Sequence, residues 1–208
     1  DHLERTRARY PLDRLTCSPG AAPIGPHGEV LPGPSSRMAA PVYGVDVPVQ
    51  HSWPELTCFG CGPANEEGLQ IESYFGPDRE TLVATVGPHS TFTSGAPNVA
   101  WGGYVASLVD CHSVWTAISF AYEDEGRPLE SDSYVEYVTG QLSVEYRAPT
   151  PLDEPLRLRA WVEDEVGRKT TVRSEVGPEG ETTATGEVVA VRVDSESGSS
   201  RHYSADGG

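Results

Sequence analysis

The chain has 208 residues, 31 acidic and 15 basic, for a formal net charge of −16, and 37% of it is hydrophobic. It lacks the basic footprint that a phosphate backbone requires, which argues against nucleic acid as a partner, and no run approaches the ~20 apolar residues of a membrane span. Four cysteines are too sparse for a disulfide scaffold, and the charged start (Asp1, Glu4, Arg5, Arg7, Arg9) has no apolar segment behind it, so a cytoplasmic, reduced protein is expected.

Residues 1–16 predict a short charged helix ending near Pro11. Cys17 to Pro48 is rich in Pro, Gly, Ala and Ser with almost no periodicity. It reads either as a floppy leader or as an arm wrapping a neighbouring subunit. Residues 1–50 thus form an N-terminal extension, 51–194 the folded domain, and 195–208 a flexible Ser- and Gly-rich tail.

Within the domain, Gly68 to Phe75 and Thr81 to Val86 alternate apolar and polar residues, which predicts two strands joined by a turn at Gly76-Pro77-Asp78. A loop runs from Gly87 to Ala100. Apolar residues at 101, 104, 105, 108, 109, 115 and 118 then predict a largely buried helix over about Trp101 to Tyr122. Its polar positions Ser107, Asp110 and Ser113 fall three apart and read as one narrow stripe. Residues 123–136 read as an acidic loop. Alternation returns over 141–147, 155–163, 168–176 and 182–193. Turn residues at 164–167 and 177–180 make the last strands antiparallel hairpins. One amphipathic sheet and one apolar helix must cover each other, so the expected class is α+β, a curved antiparallel sheet wrapped around a long central helix.

The Gly102-Gly103 pair opens this helix, and Asp110 is a lone carboxylate inside it. Unpaired N–H groups at a helix start polarise an oxyanion, and glycine there admits a ligand close to the backbone. A carboxylate in an apolar helix is costly unless it is paired or has a task. The two lie eight residues apart, roughly 12 Å at 1.5 Å per residue. Both cannot reach one carbonyl from a single helix, so joint action needs two copies of the chain.

Three further features resemble a known family when set beside that helix. They are Gly102-Gly103 with Leu108-Val109-Asp110 and Ala117, the segment Thr139-Gly-Gln-Leu-Ser-Val-Glu-Tyr146 followed by Arg147-Ala-Pro-Thr-Pro151, and Cys58-Phe-Gly-Cys-Gly62 with Gly68-Leu69. Over about residues 51 to 193 this ordered set resembles the hotdog-fold thioesterases, more narrowly the PaaI-like acyl-CoA thioesterases. The resemblance implies a hotdog fold in a homodimer or homotetramer, with acyl-CoA or a related acyl thioester as substrate and no cofactor. It implies that Gly102 supplies the oxyanion N–H with Gly103 beside it, and that Asp110 is the general base or the nucleophile. The family usually has His where this chain has Trp101, a residue that helps hold the substrate carbonyl region. Asn98, Trp101, Ser107 and Ser113 are the candidate substrate-binding residues, the 123–136 loop and the strand face set the acyl pocket, and Arg147, Arg157, Arg159 and Arg168 are candidates for CoA phosphates. At the residue level, Asn98 is equally a helix cap, and Ser107 and Ser113 equally back-bond to the helix.

Two other functions stay open. A hotdog hydratase or dehydratase needs a histidine paired with an acid, and only His89 and His112 lie near the right segments. A non-catalytic module that binds an acyl thioester or a partner protein fits Trp101 and the proline-rich arm. Cys58-x-x-Cys61 invites zinc, but a structural site wants four ligands. Only His51, Cys111, His112 or Cys17 are available to complete it, so no metal is expected and the segment reads as a tight glycine turn with small buried thiols.

Overall fold

A computed structural model of the chain describes residues 46–131 and 133–193. The expected helix at 1–16, nearly all of the N-terminal extension and the 195–208 tail lie outside the described residues. A 3-10 turn over Val49–Ser52 leads into β1 (Ser73–Phe75) and β2 (Leu82–Val86). The long helix α1 (Gly102–Asp124) follows, then β3 (Glu136–Tyr146), β4 (Leu156–Val162), β5 (Lys169–Gly177) and β6 (Ala184–Val193). The strands make one six-stranded curved sheet in the order β1-β2-β4-β5-β6-β3, every pairing antiparallel. The α1 connection therefore carries the chain from β2 to the far edge of the sheet, where, among the described residues, β3 pairs only with β6. No helix among the described residues is long and apolar enough to cross a membrane.

Alternation decides which sheet face is covered. Leu156, Leu158 and Ala160 of β4 are buried while Arg157 and Arg159 between them are exposed. Thr170, Val172, Ser174 and Val176 of β5 and Ala184, Val188 and Ala190 of β6 continue the buried face. Against it α1 buries Leu108, Val109, Trp115, Ala117, Ile118, Ala121 and Tyr122. Each large apolar side chain so covered contributes about 1.5–3 kcal/mol relative to exposure. A Cβ on Gly186 would stand 2.3 Å from Val109 Cγ1, so that glycine sets how closely α1 approaches β6.

Three boundaries differ from expectation, each for a local reason. The helix runs to Asp124 because Gly126, at φ +63°, provides its stop: Gly126 N–H donates to Glu123 O and Arg127 N–H to Tyr122 O. That is a glycine C-cap with two rescued carbonyls. β1 begins at Ser73, because Leu69 and Ile71 donate back to Phe59 and Gly60 rather than to a strand. The alternation of 68–71 is real, but its partner is a loop. β3 begins at Glu136, five residues early, and its register with β6 shifts between Thr139 and Gln141. Gly140 is the extra residue, where a Cβ would stand 2.6 Å from Val191 Cγ2, and this bulge interrupts the alternation that marks a strand in sequence.

Candidate active site at the start of the helix and the sheet edge

Trp101 precedes α1 in an extended conformation (φ −65°, ψ 134°) and gives no side-chain cap. Its N–H donates to Phe92 O at 2.7 Å, and its carbonyl accepts from Tyr104 and Val105 N–H. The N–H groups of Gly102 and Gly103 have no acceptor among the described residues. They are two of the donors that every helix start leaves over, at the positive end of the helix dipole.

An aromatic ring lies against each of these glycines. A Cβ on Gly103 would stand 2.4 Å from the Trp101 ring, and one on Gly102 would stand 3.2 Å from the Tyr146 hydroxyl oxygen. Tyr146 donates that hydroxyl to Gly102 O at 2.7 Å. Both rings are about half exposed, at 57% for Trp101 and 52% for Tyr146. Two free N–H donors with exposed aromatic flanks are groups of the kind that can accept an oxyanion between apolar walls.

Asp110 lies eight residues further along α1 and is half-buried. Thr139 Oγ1 donates to its Oδ1 at 2.5 Å. Thr139 and Tyr146 are seven apart in sequence, an odd separation that would put them on opposite faces of a regular strand. The Gly140 bulge shifts the phase by one and turns both toward α1. β3 thus touches the helix start at one end and the carboxylate at the other.

The remaining candidates disperse. Asn98, at φ +57°, caps no helix; its amide donates to Asp153 and its carbonyl accepts from Leu152 N–H. It ties the loop before α1 to the chain after β3. Ser107 Oγ donates to Gly103 O at 2.9 Å, the back-bonded arrangement. Ser113 is fully buried, and its Oγ has no partner among the described residues. It leaves the expected stripe because three residues turn a helix by about 300°, so positions three apart drift by about 60° each step. Arg147 stands next to Tyr146 and pairs with Glu145 at 3.3 Å. Arg157 and Arg159 are on the exposed face of β4, away from the helix. The loop after α1 is held by Tyr122, whose hydroxyl accepts from Val135 N–H at 3.0 Å.

The histidines near these elements are engaged elsewhere. His112 is fully buried, with Nδ1 2.8 Å from Ser73 Oγ and Nε2 3.2 Å from Leu82 O. Burial pushes its imidazole down to about 4, against the opposing pull of the Leu82 carbonyl. His89 meets the rings of Phe92 and Tyr104 at a tilt, with centroids 4.8 and 6.4 Å away. Among the described residues the recorded histidine–acid pair is His51 with Glu72, at 3.4 Å, off the helix. One group suits a soft metal: the sulfurs of Cys58, Cys61 and Cys111 all lie within 4.8 Å of one another.

Thr139 and Tyr146 are the residues that sequence reasoning missed. An isolated glycine within an alternating strand marks a bulge, and Gly140 was the available signal.

No family model and no curated protein matches the chain. Among solved structures it is similar to a thioesterase superfamily protein at 24% identity and a TM-score of 0.51, over 74% of this chain and 68% of that one. A thioesterase superfamily protein from Shewanella loihica aligns at 28% identity and a TM-score of 0.49, over 64% of this chain and 98% of that one. A Bacillus halodurans protein whose crystal structure contains CoA aligns at 23% identity and a TM-score of 0.47, over 61% and 76%. With a long helix covering one face of a β1-β2-β4-β5-β6-β3 antiparallel sheet, and with this likeness to a thioesterase superfamily structure, the chain has the hotdog fold.

Proposed function

We propose that the chain hydrolyses an acyl thioester, with coenzyme A as the thiol that the family resemblance implies. The observation that carries this reading is the pair of unpaired N–H groups on Gly102 and Gly103. They form a ready oxyanion site, and a carboxylate sits on the same helix about 12 Å away.

If both groups act on one carbonyl, that separation calls for two copies of the chain, and β3 supports a specific arrangement. It is an edge strand of 11 residues, with Val138, Leu142 and Tyr146 exposed. The stretch Thr139 to Val144 carries no charge, so nothing there discourages pairing with another strand. Omitting the bulged Gly140, Thr139 and Tyr146 are each three pairing steps from Ser143. Antiparallel pairing of two β3 strands about Ser143 puts Thr139 of one copy opposite Tyr146 of the other, on the helix side. Asp110, held by Thr139, then arrives beside the Gly102 of its neighbour. Two equivalent sites result, each with an oxyanion hole from one copy and an acid from the other.

In that site the thioester oxygen accepts the glycine N–H groups. Thr139 occupies Oδ1 of Asp110 and leaves Oδ2 free for a water. The carboxylate takes the water's proton as hydroxide adds to the carbonyl carbon. The C–S bond then breaks, and the proton passes to the departing thiolate. Direct attack by Asp110 gives the same products through an anhydride.

The Trp101 ring against Gly103 favours a second reading, a module that binds a thioester without cleaving it. Thiol release from short, long and aromatic acyl-CoAs separates the two. Hydrolysis predicts release by the wild type and its loss in a folded, dimeric Asp110→Asn. Tight acyl-CoA binding without release by any ester supports the binding module instead.

A further inference from the structure

The sequence offered Cys58-x-x-Cys61 without enough ligands. The fold supplies a third from the helix. Cys111 Sγ lies 3.8 Å from Cys58 Sγ, and all three sulfurs are within 4.8 Å of one another. Zn–S bonds near 2.3 Å in a tetrahedral site put sulfurs about 3.8 Å apart. A disulfide needs them at about 2.05 Å. The spacing matches thiolates around a metal rather than a bond between two of them.

The surroundings are built to admit the third sulfur. A Cβ on Gly60 would stand 2.2 Å from Cys111 Sγ, so a side chain there would expel it. A Cβ on Gly62 would stand 2.4 Å from Leu56 O and 2.5 Å from Cys58 N. Gly62 closes the turn with its N–H on Cys58 O at 2.8 Å. A donor points at one of the sulfurs, as donors do around metal-bound thiolates: Trp115 Nε1–H donates to Cys61 Sγ at 3.2 Å.

We propose that Cys58, Cys61 and Cys111 bind one Zn2+ ion, with the fourth position open on the half-buried Cys58 side and filled by water. The ion fastens the loop between the 3-10 turn and β1 to α1, one residue past Asp110. Residues 53–72 contain no strand or helix, and a metal clip supplies order that regular hydrogen bonding does not. The site stands whether or not the chain cleaves thioesters.

The test uses the full chain, reduced and equilibrated with Zn2+, then dialysed. About one zinc per chain is expected, with proton release on binding and thiolate-to-metal charge-transfer bands when Co2+ replaces Zn2+. Cys58→Ser, at the half-buried ligand, keeps the fold by circular dichroism and loses retention. Trp115→Phe keeps all three thiols and weakens zinc roughly 10–100-fold. The proposal fails if reduced wild type retains no zinc while its thiols react freely. It fails equally if Cys58→Ser and Cys111→Ser bind as the wild type does. A native protein lighter by two hydrogens per chain, with these cysteines linked, also overturns it.

Discussion

From Gly102 to Cys111, exposure along α1 comes in pairs. Gly102 and Gly103, Ala106 and Ser107, and Asp110 and Cys111 are half-exposed, and the pairs between them are buried. From His112 to Tyr122 every residue is buried except Val114 and Phe120, which are half-buried. The first half of the helix presents a half-exposed face with a core behind it, whereas the second is almost wholly enclosed. The two halves treat polar groups differently for that reason. In the first, half-buried Asp110 accepts a hydrogen bond from one hydroxyl, that of Thr139. In the second, His112 is buried and must stay neutral, its ring satisfied by Ser73 and Leu82. A helix of uniform apolar appearance thus carries its half-exposed carboxylate on the half that β3 borders, and its buried imidazole on the other.

The largest effect expected from this contrast is on the core half. Ile118 is 3% exposed, and Ile118→Ala should cost about 2–5 kcal/mol of stability in a denaturant titration. A cost under 1 kcal/mol would mean that the second half is less enclosed than its burial indicates. Acid should attack the same half. His112 has an ordinary value of 6.5 and a folded value of about 4. The unfolded chain therefore binds a proton between those limits that the native chain does not. The contribution of neutral His112 is fully present above pH 6.5 and is lost as pH falls toward 4. It amounts to about 3 kcal/mol at 1.36 kcal/mol per pH unit. Stability measured from pH 7.5 to 4.5 should fall accordingly, and His112→Asn should flatten that part of the curve.

The first half should respond in activity and not in stability. Asp110→Asn keeps the size of the side chain and a hydroxyl partner, so its unfolding midpoint should stay near that of the wild type. Thiol release should drop at least ~100-fold, the scale of a lost acid–base group. Equal activity in the two proteins would remove Asp110 from the chemistry. A large loss of stability would instead make it part of the core, and the contrast between the halves would collapse.

The class of the fold was legible because periodicity reports burial, and burial is what a covered sheet and its helix share. β4, β5 and β6 alternate cleanly over nearly their whole length, since one face of each meets α1. β3 is exposed along most of its length, so its sequence carries no such pattern before Gln141, and its first five residues were hidden. The site was half legible. The glycine pair and the carboxylate show in the residues themselves. Their settings, Thr139 and Tyr146, depend on a bulge that changes which way seven residues of strand face. The third thiol of the cysteine group was available only as one of several unplaced ligands, because no local pattern links residue 58 to residue 111.

Tyr146→Phe is the finest probe of the first half. Removing the hydroxyl ends its donation to Gly102 O but keeps the ring against the glycine. That carbonyl follows Trp101 O as an acceptor in the helix ladder, so its interaction within the helix survives, and the net loss should be about 0.5–1.5 kcal/mol. On thiol release this reads as roughly two- to tenfold, through the aim of the Gly102 N–H rather than through any reacting atom. kcat should carry the change while KM stays close to the wild type, since an interaction that matters only as charge develops leaves substrate binding intact. Tyr146→Ala also removes the ring. If the ring walls the acyl group, KM rises in that variant and not in the phenylalanine one. If both variants change KM alone, Tyr146 acts as a binding surface, and the N–H groups at the helix start are aimed by the helix itself.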